Sequence, residues 1–274
     1  MPHDHATLLD FAAQVYPVVL QQDLLRYIAG AGGTFLVVNV LLRRYLTTRK
    51  IRSDRPGRAQ MTREILASLR TVLIFSLVGL CIALAARLGV LNIYMDPAAR
   101  GWPYFAFNVT VLIVAHDAWF YWTHRLMHQP RLYRWFHRLH HRSNNPSPWA
   151  SYSFDASEAV VNAIYLPFAM IIMPTSILAA FIFTAHMMLR NAIGHCGYEV
   201  FPAGTDGRPL FGWLTTVTHH DLHHACAGTN FGLYFTFWDR LMATEDRNYP
   251  AAFARAVGNG KATMTLVADG AHRR

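Results

Sequence analysis

HRLMH at residues 124–128, HRLHH at 137–141 and HDLHH at 220–224 are the stretches around which this 274-residue sequence is organised. Twelve of its fifteen histidines lie between His116 and His224. Successive residues of an α-helix are about 100° apart, so a pair spaced i, i+4 shares one face and each HxxHH triplet spans about 100°. One such pair often arises by chance, but three such motifs do not. The spacing therefore predicts that these imidazoles converge on a metal site.

The donor type indicates which metals fit. Neutral imidazole binds zinc, copper, iron and nickel, whereas magnesium and calcium prefer oxygen ligands. The three motifs supply eight imidazoles, which is more than one ion takes, so a dinuclear site is the simplest interpretation. A structural zinc site is closed and tetrahedral. The surplus of histidines favours a pair of redox metals with an open position.

The composition is typical of a membrane protein. Apolar residues make up 53% of the sequence and charged residues only 15%, which is too apolar for an ordinary soluble domain. The 25 Lys and Arg outnumber the 16 Asp and Glu. These basic residues are clustered between apolar runs, which favours the positive-inside rule over nucleic-acid binding as their cause. Three cysteines without paired spacing argue against a disulfide scaffold.

Hydropathy predicts an all-α, polytopic membrane protein with about four transmembrane helices and a cytoplasmic helical cap that carries the histidines. We expect an amphipathic lead-in over residues 1–23, spans at 25–42, 71–91 and 105–122, and a helical hairpin formed by 159–174 and 176–189 around Pro174. The arginine-rich segments 43–70 and 124–142 are separated by an even number of spans. Both therefore predict that the metal site is on the cytoplasmic side. From residue 250 a mobile polar tail is expected.

The position of the motifs favours an enzyme over a transporter. The histidines lie just past the ends of the predicted spans, whereas transporter ion sites lie near the middle of the bilayer. An apolar substrate from the bilayer with no good leaving group requires oxidative chemistry, so iron is the predicted metal.

The wider sequence resembles the fatty acid hydroxylase superfamily, also called the sterol desaturase family. The resemblance extends from about Phe105 to Thr244 and rests on HDAWFYWTHRLMH, LYRWFHRLHHRS, GHCGYE, HHDLHHACAGTNFG and FWDRLMAT, in that order. It implies a membrane-bound, dioxygen-dependent non-haem di-iron oxidase. The implied catalytic metal centre is held by His124, His128, His137, His140, His141, His195, His220, His223 and His224, with His186 as a tentative tenth ligand.

The resemblance also implies how the chain is divided. Residues 1–104 would form the lead-in and the first two membrane helices with their basic cytoplasmic loop. Residues 105–249 would form the fatty acid hydroxylase/sterol desaturase-like catalytic domain, and 250–274 a polar C-terminal tail.

Two further histidines are expected to have other roles. His116 lies about 12 Å from His124 along a straight helix, and we expect it to pack between helices or to support a ligand. His219 is spaced i, i+4 from His223 and could compete with His220, although the family pattern favours His220.

Three aspartates are candidates to hold ligand imidazoles in one tautomer, as outer carboxylates commonly do: Asp117, Asp221 and Asp239. The alternative for each is helix capping or an arginine pair, which is favoured for Asp239 because Arg240 follows it.

The sequence departs from the family pattern in two places. Asp155-Ala-Ser-Glu158 stands where many relatives have His-Pro-x-Glu, and Trp238-Asp-Arg-Leu-Met-Ala-Thr244 stands where the pattern reads Trp-Asp-x-Leu-Phe-Gly-Thr. Neither departure involves a presumed ligand. Both leave the substrate subclass open.

The resemblance implies hydroxylation or desaturation of a lipid substrate of sterol, fatty acyl or sphingoid type taken from the bilayer. It implies two iron ions, which zinc can replace in preparations, dioxygen as co-substrate, and a separate electron donor such as a ferredoxin or a cytochrome b-type protein. A carotenoid hydroxylase or ketolase and an ether-lipid monooxygenase share the same motifs and remain open. The alternative from another class is a membrane metal-binding or transport protein without turnover.

Overall fold

Two long apolar helices open the described part of the chain, which runs from residue 5 to residue 258 of the computed structural model. Helix α1 (His5–Tyr27) continues without a break through π-helical turns at Ile28–Gly32 and Phe35–Leu41. The predicted lead-in and first span are therefore one helix, not two elements. The polar residue between them, Asp23, does not end the helix because Arg26 lies 2.5 Å from its carboxylate, one turn further on.

Helix α2 begins earlier than the predicted second span. After a 3₁₀ turn at Thr47–Arg49, α2 covers Arg58–Arg87 and thus includes the last part of the basic segment. Close packing joins these helices to the rest of the protein. A Cβ added to Gly30 would lie 2.5 Å from Met188 Cγ, so only glycine allows this approach of the first helix to the helix that carries Met188.

The middle of the chain forms the predicted hairpin and three shorter helical pieces. Helix α3 covers Trp102–Met127, α4 Pro130–Phe136, α5 Arg138–His141, a 3₁₀ turn Pro148–Tyr152, α6 Ala156–Ile172 and α7 Ile177–Gly194. A two-residue parallel pairing joins strand β1 (Ile93–Tyr94) to β2 (Thr175–Ser176), with Ile93 opposite Thr175. This pairing ties the segment before α3 to the turn of the α6–α7 hairpin.

Three short helices complete the described chain: α8 (Val217–Cys226), α9 (Phe237–Leu241) and α10 (Tyr249–Ala256). The prediction of a mobile polar tail from residue 250 is wrong for its first residues, because they form helix α10 and Phe253 and Ala254 are fully buried. The remainder of that prediction, residues 259–274, lies outside the described residues.

Within residues 5–258, three helical stretches are long and apolar enough to cross a membrane: Thr7–Leu41, Arg58–Arg87 and Ile177–Gly194. The predicted third span lies within α3, where Asn108, His116 and Asp117 are buried and lower the hydropathy. Helix α6 is apolar but shorter. The predicted all-α, polytopic class is confirmed, with three candidate spans where about four were expected.

Candidate metal centre

Nine histidines form two adjacent clusters, each of which could hold a metal ion. Cluster 1 consists of His124, His128, His137, His141 and His223, and cluster 2 of His140, His195, His220 and His224. Within each cluster the nitrogen atoms that could bind a metal lie within 4.8 Å of one another. The clusters are neighbours, because the rings of His141 and His224 are 4.9 Å apart. The structure thus brings together the nine histidines named from the sequence.

Helical spacing explains how each motif divides between the clusters. His137 and His141 are spaced i, i+4 and both lie in cluster 1, while the i, i+4 pair His220 and His224 lies in cluster 2. The remaining histidine of each HxxHH motif, His140 or His223, belongs to the other cluster. Adjacent residues on a helix diverge by about 100°. The two adjacent histidines at the end of each HxxHH motif therefore point into different clusters from the same helical turn.

The ends of long helices position the remaining ligands. His124 lies in the last turn of α3, and His128 follows its final residue. His195 follows the last residue of α7. Helix α8 is fixed at its start by Thr216, whose hydroxyl accepts a hydrogen bond from the His219 amide at 3.2 Å. The clusters therefore form where membrane-length helices give way to short helices and loops.

Backbone carbonyls fix the tautomer of three imidazoles. The Nδ1 atoms of His124, His195 and His223 lie 2.8, 2.7 and 2.7 Å from the carbonyl oxygens of Phe231, Asn191 and Thr229. A carbonyl only accepts hydrogen bonds, so each Nδ1 carries the proton. Each Nε2 then keeps its lone pair, which is the arrangement of a metal-binding histidine.

A buried carboxylate supports a fourth imidazole. His137 Nδ1 lies 2.8 Å from Glu158 Oε1, and both side chains are almost fully buried. An outer carboxylate of this kind orients a ligand ring and makes it more basic. The aspartate hypothesis missed Glu158, although the departure Asp155-Ala-Ser-Glu158 retains the glutamate of the family's His-Pro-x-Glu.

The short distances between ring nitrogens fit cations in both clusters. His124 Nε2 lies 2.9 Å from His137 Nε2 in cluster 1. His220 Nε2 lies 3.1 Å from His195 Nε2 in cluster 2. Because His124 and His195 carry their protons on Nδ1, their Nε2 lone pairs point toward these neighbouring rings, where a cation would fit. His128 Nε2 is buried and has no hydrogen-bond partner among the described residues, which leaves it free to bind a metal.

Burial keeps these imidazoles neutral. It lowers the pKa of His140, His220, His223 and His224 well below the ordinary histidine value, and neighbouring imidazoles lower it further. Burial likewise lowers the pKa of His195 to about 4. The neutral ring is the form that binds a metal.

Among the histidines whose side chains the structure describes, three lie outside both clusters. His186, the tentative tenth ligand, packs against the Tyr234 ring at 4.6 Å. His116 Nδ1 lies 3.0 Å from the Tyr234 hydroxyl, in agreement with the predicted packing role. His219 lies 3.7 Å from Asp239 and packs against Tyr249, so it does not compete with His220.

The three candidate aspartates do not contact the clusters, which corrects the prediction. Asp221 pairs with Arg52 at 2.8 Å, and Asp117 accepts hydrogen bonds from the Tyr234 and Phe235 amides. For Asp239 the favoured arginine pair is also wrong. Its oxygens accept from the Phe231 and Gly232 amides at 2.8 Å, while Arg240 pairs with Glu245. Asp239 thus shapes the loop whose Phe231 carbonyl orients His124.

Comparison with known proteins places this site in a family. The sequence model described as fatty acid hydroxylase matches residues 109–244, which include all nine histidines. The chain is 28% identical to a Delta(7)-sterol 5(6)-desaturase of Gibberella zeae over 227 residues, 81% of this chain and 68% of the relative. It is 30% identical to the cholesterol 25-hydroxylase of Rattus norvegicus over 138 residues, 50% of this chain and 46% of the relative.

A third relative differs in its named reaction. The chain is 29% identical to a very-long-chain aldehyde decarbonylase of Oryza sativa over 156 residues, 54% of this chain but 24% of that relative. The chain thus spans less than half of the last two relatives. No solved structure matches it. The family match, the desaturase relative and the histidine motifs agree, and this chain belongs to the fatty acid hydroxylase/sterol desaturase family.

Proposed function

We propose that this protein is a di-iron oxidoreductase that uses dioxygen to hydroxylate or desaturate a lipid at the membrane. The observation that carries the proposal is the pair of adjacent imidazole clusters at the ends of membrane-length helices. A site of this kind brings redox metals close to a bilayer that supplies apolar substrates.

The ligand set supports iron as the resident metal. Imidazole donors accept iron, zinc, copper and nickel, and the oxidation of an unactivated C–H bond requires a redox metal. Iron held by the nine histidines would activate dioxygen for that oxidation.

The residues of this chain have two tasks in the proposed reaction. The carbonyls of Phe231, Asn191 and Thr229 orient three imidazoles and accept hydrogen bonds from their Nδ1 atoms. The Glu158 carboxyl group lies beside His137 Nδ1. Aromatic rings exclude water from the nitrogens. Phe231 packs against His128 at 5.2 Å, and Phe154 packs against His140 at 5.4 Å.

The relatives support a lipid substrate class. Two of them are named for sterols and one for very-long-chain aldehydes. We propose a sterol, fatty acyl or sphingoid lipid from the bilayer as substrate for this chain. The arginine-rich segments support a metal site on the cytoplasmic side of the membrane.

The proposed reaction needs an external reductant. Hydroxylation inserts one atom of dioxygen into a C–H bond and reduces the other atom to water with two external electrons and two protons. Desaturation reduces both atoms to two waters, with two electrons and two protons from the two broken C–H bonds and two electrons and two protons from outside. A separate one-electron donor, a ferredoxin or a cytochrome b-type protein, would supply these electrons in two encounters.

Metal content and dioxygen uptake of the detergent-purified protein test the proposal. We expect about two irons per chain and reductant-driven dioxygen uptake. Substituting a histidine of one cluster, His223→Ala in cluster 1 or His140→Ala in cluster 2, should remove about one iron per chain and abolish dioxygen uptake. His186→Ala is the matched control, because His186 lies outside both clusters. Stoichiometric zinc that survives either substitution, or no dioxygen uptake with any donor, would contradict the di-iron oxidase.

A further inference from the structure

An arginine-rich surface covers cluster 1 on the outside of α4 and α5. We call it the α4 basic face; it consists of Arg131, Arg134, Trp135, Arg138 and Arg142, all exposed. Trp135 is 62% exposed, and the Arg134 guanidinium lies 4.8 Å from the centre of its ring. Among the residues that the structure describes, no ion pair involves these four arginines. The face thus presents an excess of positive charge around a large aromatic ring.

Only one layer of side chains separates this face from the metal site. The ring of Tyr133, on α4, lies 5.6 Å from that of His128 and 5.9 Å from that of His141. His137 directly follows the last residue of α4. A redox group held against this face would therefore lie next to cluster 1.

The geometry of α3 separates this face from the lipid headgroups. Trp122, 44% exposed on α3, is the type of residue that marks a membrane interface. Helix α3 continues to Met127, about 8 Å further, before α4 begins. The headgroup layer on each side of a bilayer is about 5–7 Å thick. The arginines of α4 are therefore expected at or beyond its outer edge, where they face water.

We propose that the α4 basic face is the docking surface for an acidic one-electron donor protein. This inference rests on the proposed function, which requires such a donor. Complementary charge steers association and fixes orientation, and tryptophan and arginine are the residues enriched at the centres of protein interfaces. The donor binds by its acidic rim, with its redox group over Trp135 and Tyr133.

Charge reversal on the face tests the proposal by binding alone. The probes are the oxidised soluble haem domain of a cytochrome b-type protein and an oxidised plant-type ferredoxin, each titrated onto the full chain in nanodiscs at low salt. For a probe that binds the wild type, Arg131→Glu/Arg134→Glu should weaken binding about tenfold or more, and raised ionic strength should weaken wild-type binding. Trp135→Ala should weaken it without any change in charge.

The control makes the same charge change elsewhere. Arg43 and Arg44 are exposed on the other basic segment, and Arg43→Glu/Arg44→Glu should leave binding within about twofold of wild type. Equal weakening by both double variants, or no binding of either probe to the wild type, would overturn the proposal. Iron content and dioxygen uptake of the same preparations are measured separately. Failure of the docking surface is therefore distinguishable from failure of the proposed function.

A spin label distinguishes a donor surface from a lipid-binding one. The label is placed by Arg131→Cys in a Cys81→Ser/Cys226→Ser background, which removes the two exposed cysteines. We expect a water-soluble relaxation reagent to reach it in nanodiscs. A label shielded from that reagent and exposed to lipid-dissolved dioxygen would assign the face to the bilayer and overturn the proposal.

Discussion

Cluster 1 and cluster 2 are built from the same helical spacing but lie in different surroundings. Cluster 1 has five imidazoles, two of which, His128 and His141, are only half-buried, and it lies beneath the exposed surface of α4. Cluster 2 has four imidazoles, all buried, between α5, α7 and α8. Its His220 borders a narrow cleft lined by Arg190, Phe201 and Leu233.

This difference shows how two similar histidine clusters can be placed in unequal surroundings. A repeated motif produces similar ligand sets, but the elements packed around each set decide what reaches it. Cluster 1 is the less buried of the two and, in our proposal, faces an electron donor. All four rings of cluster 2 are buried.

Removing a pair of ligands should empty one cluster at a time. We expect His220→Ala/His224→Ala to keep about one metal ion per chain in cluster 1, and His124→Ala/His128→Ala to keep about one in cluster 2. Dioxygen uptake should fall below detection in both, because the proposed reaction uses both metals. Metal analysis by mass spectrometry measures the result. If either variant loses both ions, the clusters act as one inseparable centre and the comparison fails.

The carboxylate beside His137 should matter to cluster 1 alone. Glu158→Gln replaces the carboxyl group that lies 2.8 Å from His137 Nδ1, and we expect metal affinity there to weaken by about 10–100-fold. Chelator competition, followed separately for the two ions, measures this. Glu64→Gln is the matched control, because Glu64 is an equally buried glutamate that bonds to Ser147 and Gln60 instead. Equal weakening by both variants would argue for a general effect of replacing a buried carboxyl group.

The metal-free protein should lose stability as the pH falls below about 6.5. Burial lowers the pKa of His195 and of His219 to about 4. Between about pH 6.5 and pH 4 the unfolded chain binds more protons than the folded one. The free energy of unfolding therefore decreases as the pH is lowered through this range, and these groups do not change it above about pH 6.5. At pH 5.5 each such histidine should cost about 1 kcal/mol.

Thermal unfolding of the detergent-solubilised, metal-free protein between pH 7.5 and pH 5 measures this loss. A midpoint that does not change over that range would show that the histidines are accessible to protons, in conflict with the burial of cluster 2.

The smallest effect on metal binding is expected at Asp221, which the sequence indicated as a candidate to orient a ligand imidazole. Asp221→Asn removes a partly buried pair with Arg52 and should destabilise the fold by about 1 kcal/mol or less. Metal content should not change. Loss of metal from this variant would show that Asp221 supports a ligand imidazole, as Glu158 is placed to do for His137.

Much of this protein could be predicted because helical periodicity is local. The i, i+4 and HxxHH spacings depend only on residues within one turn, and they indicated which histidines would share a face. Hydropathy is equally local, and it indicated the all-α membrane class and the α6–α7 hairpin. The role of the nine histidines as iron ligands remains a prediction, since spacing and geometry concern position rather than the bound metal.

How these local pieces meet depends on packing across the whole chain. Glu158 and His137 are 21 residues apart in sequence, and no periodic pattern links them. The structure also places His186 against Tyr234, outside both clusters, because the direction of a side chain depends on where its whole helix packs. The pairing of Asp221 with Arg52 and the loop contacts of Asp239 have the same cause. Contacts between distant segments are set by the packing of the entire chain. The same packing divides the nine histidines into a partly exposed cluster and a buried one.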